Sequence, residues 1–190
     1  MMIKPCRLQG VYEVSLLPNN DHRGHFTRIY DQQTYKDYGL SWDWVQENRS
    51  FSRKKGTIRG LHLQHEPYAE TKLIRVCKGA IYDVFVDLRP GSQTYGRWDS
   101  ILLTEDNNKM VYIGKGFAHG FCTLEDDCEV IYKVDRCYSP QHEGGVIWND
   151  ESLRITWPIL KPVLSERDSR LPDLEEFKRQ QAQKLKERSV

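Results

Sequence analysis

Between residues 72 and 89 the chain alternates apolar and polar positions in two runs, KLIRVCK and AIYDVFVDLR, meeting at Lys78-Gly79. A period of two predicts strands, and a glycine at the break predicts a hairpin turn. In the second run Tyr82, Val84, Val86 and Leu88 share one face, while Ile81, Asp83, Phe85 and Asp87 share the other. Further along, PGSQTYG (90–96) reads as a turn, RWDSILLT as a strand, EDNN as a turn, KMVYIG as a strand and CEVIYKVD as another; KGFAHGF is punctuated by glycines. Short strands at spacings of about 8 to 12 residues predict a β-sandwich or barrel. Helical signal is confined to two places. DQQTYKDYG (31–39) offers Asp31 as N-cap and Gly39 as a stop. The tail LPDLEEFKRQQAQKLKERSV offers Asp173 as a cap but is mostly polar after Phe177, so a surface helix or frayed end is expected over about 172–190. No repeat, low-complexity stretch or linker divides the chain, and one domain over 1–190 is expected.

One strand-like run carries chemistry. In RGLHLQ (59–64), Leu61 and Leu63 flank His62, so alternation turns the leucines one way and the histidine the other. His62 therefore faces either solvent or a pocket.

Bulk properties narrow the classes. With 190 residues the chain can bury a real core. A net charge of +1 with 29% charged residues sets up no field suited to nucleic acid or an acidic membrane. MMIKPCRLQG has no apolar h-region or cleavage site, and no later run approaches the roughly 20 apolar residues that span a bilayer, so a soluble, cytoplasmic protein is expected. The five cysteines (Cys6, Cys77, Cys122, Cys128, Cys137) are odd in number and form no C-x-x-C. Reduced thiols are expected rather than a disulfide framework or structural zinc, with Cys77 as plain packing.

A metal is not expected either. His62 and His65 are three apart, on opposite faces of a strand, and the H-x-H pair that cupin barrels often use for metal is missing. Taken singly, His62 reads as a structural or surface histidine, Lys72 as a solvated cation and Tyr132 as an amphipathic core tyrosine.

Five segments together change that reading. RGLHLQ, KLIRVCKGAIYDVFVDLRPGSQTYGRW, GKGFAHGF, VIYKVDRCYSP and GGVIWNDESLRITWP occur in this order. From DHRGHF to LSERD the chain resembles the dTDP-4-dehydrorhamnose 3,5-epimerase family, the cupin-fold enzymes of the rhamnose pathway and their deoxysugar relatives. The resemblance implies an all-β, dimeric double-stranded β-helix (jelly roll) with short peripheral helices and a site inside the barrel. It implies a nucleoside diphosphate 4-keto-6-deoxyhexose as substrate and no cofactor. Such enzymes serve deoxysugar biosynthesis for surface polysaccharide such as O-antigen, or a related glycoconjugate. By the same resemblance His62 is the general base and Asp168 pairs with it, fixing the tautomer. Tyr132 is the acid across the sugar, and Lys72 lies by the C4 carbonyl oxygen. For binding, the family pattern points to Arg23, Phe26, Gln46, Asn48, Arg59, His119 and Tyr138.

These residue types suit the chemistry independently. A proton α to a ketone needs a base of near-neutral pKa, which histidine provides. The charge that collects on the carbonyl oxygen is stabilised by a preplaced cation such as Lys72. Inversion needs a second, separate acid, and tyrosine is neutral at pH 7. Arg23 and Arg59 are candidates for the diphosphate, and Phe26 and Tyr138 for a sandwich around a flat pyrimidine.

Two positions depart from the family pattern. Gly114-Lys115 stands where Pro-Glu is frequent. Arg28 stands where members usually carry a glutamate two residues after the phenylalanine of RG-x-F. Thymine's N3–H can donate to that glutamate. A donor-only arginine at the base edge would suit cytosine instead. The expected carrier is dTDP, with CDP as the alternative. Epimerisation at C3 alone, or at C3 and C5, is left open, because both kinds of relative keep the same His, Lys and Tyr. Two other classes compete: a cupin 3,4-ketoisomerase and a non-catalytic sugar-nucleotide-binding cupin.

Overall fold

The structure, a computed structural model, describes residues 1–40 and 43–187. In chain order the strands are β1 (Met2–Pro5), β2 (Val11–Ser15), β3 (Asn19–Asp21), β4 (Gly24–Phe26), β5 (Gln46–Ser52), β6 (Ile58–Gln64) and β7 (Lys72–Lys78). They continue as β8 (Ala80–Asp87), β9 (Trp98–Thr104), β10 (Lys109–Ile113), β11 (Phe117–Thr123), β12 (Cys128–Val134) and β13 (Glu143–Gly145). Helix α1 spans Gln32–Asp37 and α2 spans Leu174–Glu187.

Two antiparallel sheets face each other. One has the order β1-β2-β10-β7-β12-β5, the other β13-β6-β11-β8-β9. From β5 to β12 every connection but one changes sheet; within that span β8 and β9 alone are sequence neighbours that pair. This winding is the expected double-stranded β-helix. It also corrects the hairpin expected at Lys78-Gly79: β7 and β8 lie in different sheets, and the glycine is a corner between them. Gly79 has φ +79°, and a Cβ there would sit 2.7 Å from Cys128 Sγ. Alternation alone cannot tell a corner from a hairpin, because both want a glycine between two strands.

Both faces of β8 are buried, which explains its apolar character on each side. Ile81 and Phe85 join Val11, Ile74, Val111 and Val130 between the sheets. Val84, Val86 and Leu88 face outward and are covered by Leu153, Leu174 and Phe177. The tail is therefore docked at its start, with Leu174 and Phe177 buried. Asp173 Oδ1 caps α2 by accepting from the Glu176 N–H at 2.7 Å. On the other outer face, Tyr35 of α1 packs with Leu73, Met110 and Tyr112. Asp31 caps α1 as expected, accepting from the Thr34 N–H at 3.0 Å, and Gly39 beyond it has φ +66°. The glycine-punctuated KGFAHGF contributes a fully buried central strand, β11. The cysteines are all free thiols, and burial raises those of Cys6 and Cys122 to about 11.

Candidate active site

Along the strands the inward positions change from apolar to polar. On β7 they run Val76, Ile74 and then Lys72; on β12, Val130 and then Tyr132. The polar end is a cavity of about 360 Å³, bordered by Arg59, His62, Lys72, His119, Tyr132 and Asp168.

A bulge in β6 places two of these side chains. His119 of β11 pairs with His62, but Phe121, two residues on, pairs with Arg59, so three steps on β6 match two on β11. The extra residue turns Arg59 and His62 to the same side. Glycine makes the bulge fit: Gly60 has φ +122°, and a Cβ there would lie 2.6 Å from Gly120 Cα. Arg59 is fixed by its Nε donating to Ser52 Oγ at 3.0 Å and a terminal N–H donating to the Phe51 carbonyl at 2.9 Å.

His62 Nε2 lies 2.7 Å from Asp168 Oδ1, and the His62 side chain keeps 26% of its surface exposed. Burial would raise the Asp168 carboxyl, but hydrogen bonding and charge from His62, with donors from Gly60 and Ser165, hold it below its ordinary value. The carboxylate is thus ionised and orients one ring nitrogen, leaving the other available as a proton acceptor. Tyr132 projects from the opposite sheet. Burial, then the charges of Glu70 and Glu143 against Arg59, raise its phenol, which stays protonated at neutral pH. Lys72 is nearly buried, with its Nζ 3.4 Å from the His62 carbonyl oxygen. His119 Nε2 lies 2.8 Å from Asp83 Oδ2. At the mouth the Tyr138 hydroxyl donates to Glu143 Oε2 at 2.7 Å, and the Tyr138 N–H donates to Gln46 Oε1 at 2.6 Å. Asn48 pairs with Tyr132 across the β5–β12 ladder and shares the inward-facing register of Gln46 and the cavity-lining Ser50.

The model of the family described as dTDP-4-dehydrorhamnose 3,5-epimerase matches residues 5–176. The chain belongs to that family. The enzyme of that name from Shigella flexneri is 43% identical over 149 residues, 78% of this chain and 82% of the relative. The Bacillus anthracis enzyme, solved with TDP and PPi bound, superposes with a TM-score of 0.89 at 44% identity, covering 91% of this chain and 99% of that one. A 3'-monoepimerase from Streptomyces bikiniensis, solved with dTDP-quinovose, gives 0.86 at 31% identity, covering 92% and 89%. The family is one of isomerase-type enzymes of deoxysugar biosynthesis, on a cupin-type fold.

Not every residue read from the sequence meets at this cavity. Arg23, Phe26, Arg28, Gln46 and Asn48 do not line it. The β3–β4 hairpin is exposed throughout, with Phe26 71% accessible and Arg23 held by Asp21 at 2.6 Å. The Arg28 side chain is 69% exposed and pairs with Asp31 at 3.3 Å. Within one chain it therefore does not reach a base edge in this cavity. Conversely, the cavity contains groups that sequence reasoning passed over. Glu143 and Arg167 form an ion pair at its mouth, and Asp83 stands behind His119. The signal for Asp83 was visible: a charged residue between Ile81 and Phe85 on one strand face. Arg167 stands next to Asp168 in LSERD but had no pattern of its own. Among the described residues no group of three or more His, Cys, Asp or Glu is placed to hold a metal, and no helix is long and apolar enough to cross a membrane. A second cavity of about 410 Å³ lies between Leu63, Leu88 and α2. Two of its cations are already paired, Arg89 with Asp87 and Lys115 with Asp135.

Proposed function

We propose that this protein epimerises C3, or C3 and C5, of a dTDP-linked 4-keto-6-deoxyhexose through an enolate. The observation that carries this reading is the placement of His62, with Asp168, and Tyr132 on facing sheets of one cavity. His62 removes the proton α to the C4 ketone, and Asp168 stabilises the imidazolium that forms. The electron pair moves to the C4 oxygen, where the Lys72 ammonium offsets its charge. Tyr132 returns a proton from the opposite side, which inverts the carbon. His62 then loses its proton to solvent, and the Tyr132 phenolate regains one.

The nucleotides bound by the B. anthracis and S. bikiniensis relatives support dTDP as the carrier. With Arg28 tied to Asp31 outside the cavity, nothing supports CDP. A homodimer is also proposed. Arg23 and Phe26 sit on an exposed hairpin, and a second copy would give that apolar side chain a surface to bind. Light scattering at micromolar concentration is expected to give twice the chain mass, and a monomer contradicts this.

The reaction is tested in deuterated water with dTDP-4-keto-6-deoxyglucose, following C3 and C5 by NMR. Deuterium is expected at C3, with or without C5, and chelator is expected to leave the rate unchanged. Tyr132→Phe is expected to retain exchange from the His62 side while losing inverted product. No exchange at either carbon removes the epimerase reading.

A further inference from the structure

Lys72 begins β7, and its ammonium is held from two sides. One N–H points to the His62 carbonyl oxygen at 3.4 Å, and Glu70 Oε1 lies 3.3 Å away. Both side chains of that ion pair are largely buried, at 10% and 12% exposure. Exposed pairs of this kind contribute little, because water competes and both chains must be immobilised. Here the carboxylate is itself anchored. Glu70 Oε2 accepts from Gln64 Nε2 at 2.8 Å. Gln64 is buried, and its Oε1 accepts from the Ser139 N–H at 2.6 Å, which fixes the amide's orientation. Its Nε2 also lies 3.1 Å and 3.3 Å from the carbonyls of Tyr68 and Cys137. Hydrogen bonds thus run from the backbone beside Tyr138 through Gln64 to Glu70, and an ion pair joins Glu70 to Lys72.

An ammonium has three donors. Among the described residues one is directed at the His62 carbonyl and Glu70 lies beside the ammonium as an ion-pair partner, which leaves donor capacity for a ligand in the cavity. A lysine side chain is otherwise flexible, and a loose cation gives up the advantage of a preorganised one. We propose that Glu70 is a positioning residue that holds the Lys72 ammonium where the enolate oxygen forms. The proposal rests on the epimerase reading for the role of Lys72. It assigns Glu70 no contact with the substrate.

The structure predicts how substitution acts. Glu70 meets the Lys72 ammonium at one oxygen as an ion pair and accepts from Gln64 at the other. A glutamine at this place has one acceptor oxygen, and Gln64 cannot reverse its amide without losing the Ser139 N–H. With that oxygen held by Gln64, Glu70→Gln removes the charge that pairs with Lys72 and turns an amide N–H toward the ammonium despite its matching shape. A misplaced catalytic group costs up to about a hundredfold in rate, so kcat for exchange at C3 is expected to fall about tenfold to a hundredfold in Glu70→Gln and in Glu70→Ala. KM is expected to stay within about twofold, because binding is not what is lost.

A second readout does not depend on turnover. The Lys72 ammonium, assigned by its loss in Lys72→Met, is expected to give a slowly exchanging 15N–1H resonance that vanishes or moves in Glu70→Gln. Wild-type kcat together with an unmoved Lys72 resonance in both variants overturns the proposal. So does an equal fall in kcat from a variant whose Lys72 resonance is unchanged, since the loss then has another origin. If the wild type exchanges no deuterium, the reaction reading fails by itself, and the resonance still reports whether Glu70 holds Lys72.

Discussion

The cavity is lined by two histidines, each paired with an aspartate at nearly equal distance and with opposite electrostatics. His62 and Asp168 are 2.7 Å apart, and His119 and Asp83 are 2.8 Å apart. Asp168 is supplied with extra donors by Gly60 and Ser165, which hold its carboxyl below the ordinary value. Asp83 is buried completely; burial raises its carboxyl despite His119 and Lys72, and its Oδ1 has no partner among the described residues. Distance alone does not make a catalytic dyad. The first carboxylate can sustain an imidazolium through a turnover, because its charge is already stabilised by other donors. The second pair is enclosed, with a carboxyl that burial raises, which suits holding a ring in place. His62 is also the more open ring, at 26% side-chain exposure against 10% for His119.

Substitution at the two pairs gives the largest expected effects. His62→Ala is expected to abolish exchange at C3, a loss of about a hundredfold to ten-thousandfold for a positioned general base. His119→Ala is expected to raise KM more than it lowers kcat, with exchange still measurable. The carboxylates should rank the same way. Asp168→Asn leaves His62 without a charged partner and is expected to lower kcat by at least about tenfold. Asp83→Asn removes a carboxylate that burial disfavours and is expected to cost less. Exchange in deuterated water, measured as kcat and KM for the four variants, decides it. Equal losses at both pairs would mean that the difference in carboxylate environment has no catalytic meaning.

How much of this was legible beforehand depended on how local the signal was. Asp31 and Gly39 marked α1 because capping is decided within a few residues. Alternation placed β9, β10 and β12 to within a residue at either end. Alternation alone makes the corner at Gly79 look like a hairpin, since the choice of sheet is made by the partners and not by the strand. His62, Asp168, Lys72 and Tyr132 were legible only through the ordered motifs that carry the family resemblance; they come from four separate segments, and no spacing rule links them. The bulge that turns Arg59 to the side of His62 was hidden as well. RGLHLQ alternates in one dimension, and only the pairing with β11 shows the extra residue. Arg23, Phe26 and Arg28 illustrate the reverse case: a motif named them, and a single chain does not bring them to the cavity.

The comparison of carboxylates extends to a third, Asp87, on the same inward face of β8 as Asp83. Both side chains are completely buried. Burial alone would raise Asp87 too, but two bonds from the Arg89 guanidinium at 2.9 and 2.7 Å, with hydroxyls from Ser92 and Thr94 at 2.6 Å each, lower it to about 2. The ordinary value is 3.8. A depressed carboxyl stabilises the folded state fully above its unfolded value, and that contribution disappears as pH falls through the folded value. Asp87 therefore contributes about 2 kcal/mol at neutral pH, lost between about pH 4 and pH 2. Asp83 has the opposite sign: its raised value means that the folded protein keeps a proton the unfolded chain has released, so acid relieves a cost instead of creating one. Urea denaturation at a series of pH values between 2 and about 6, with stability taken from midpoint and slope, separates the two. Asp87→Asn is expected to lower stability at neutral pH and to flatten its decline below about pH 4. Asp83→Asn is expected to keep that decline or steepen it. A wild-type pH slope in Asp87→Asn would show that Arg89, Ser92 and Thr94 do not hold this carboxylate in its charged form.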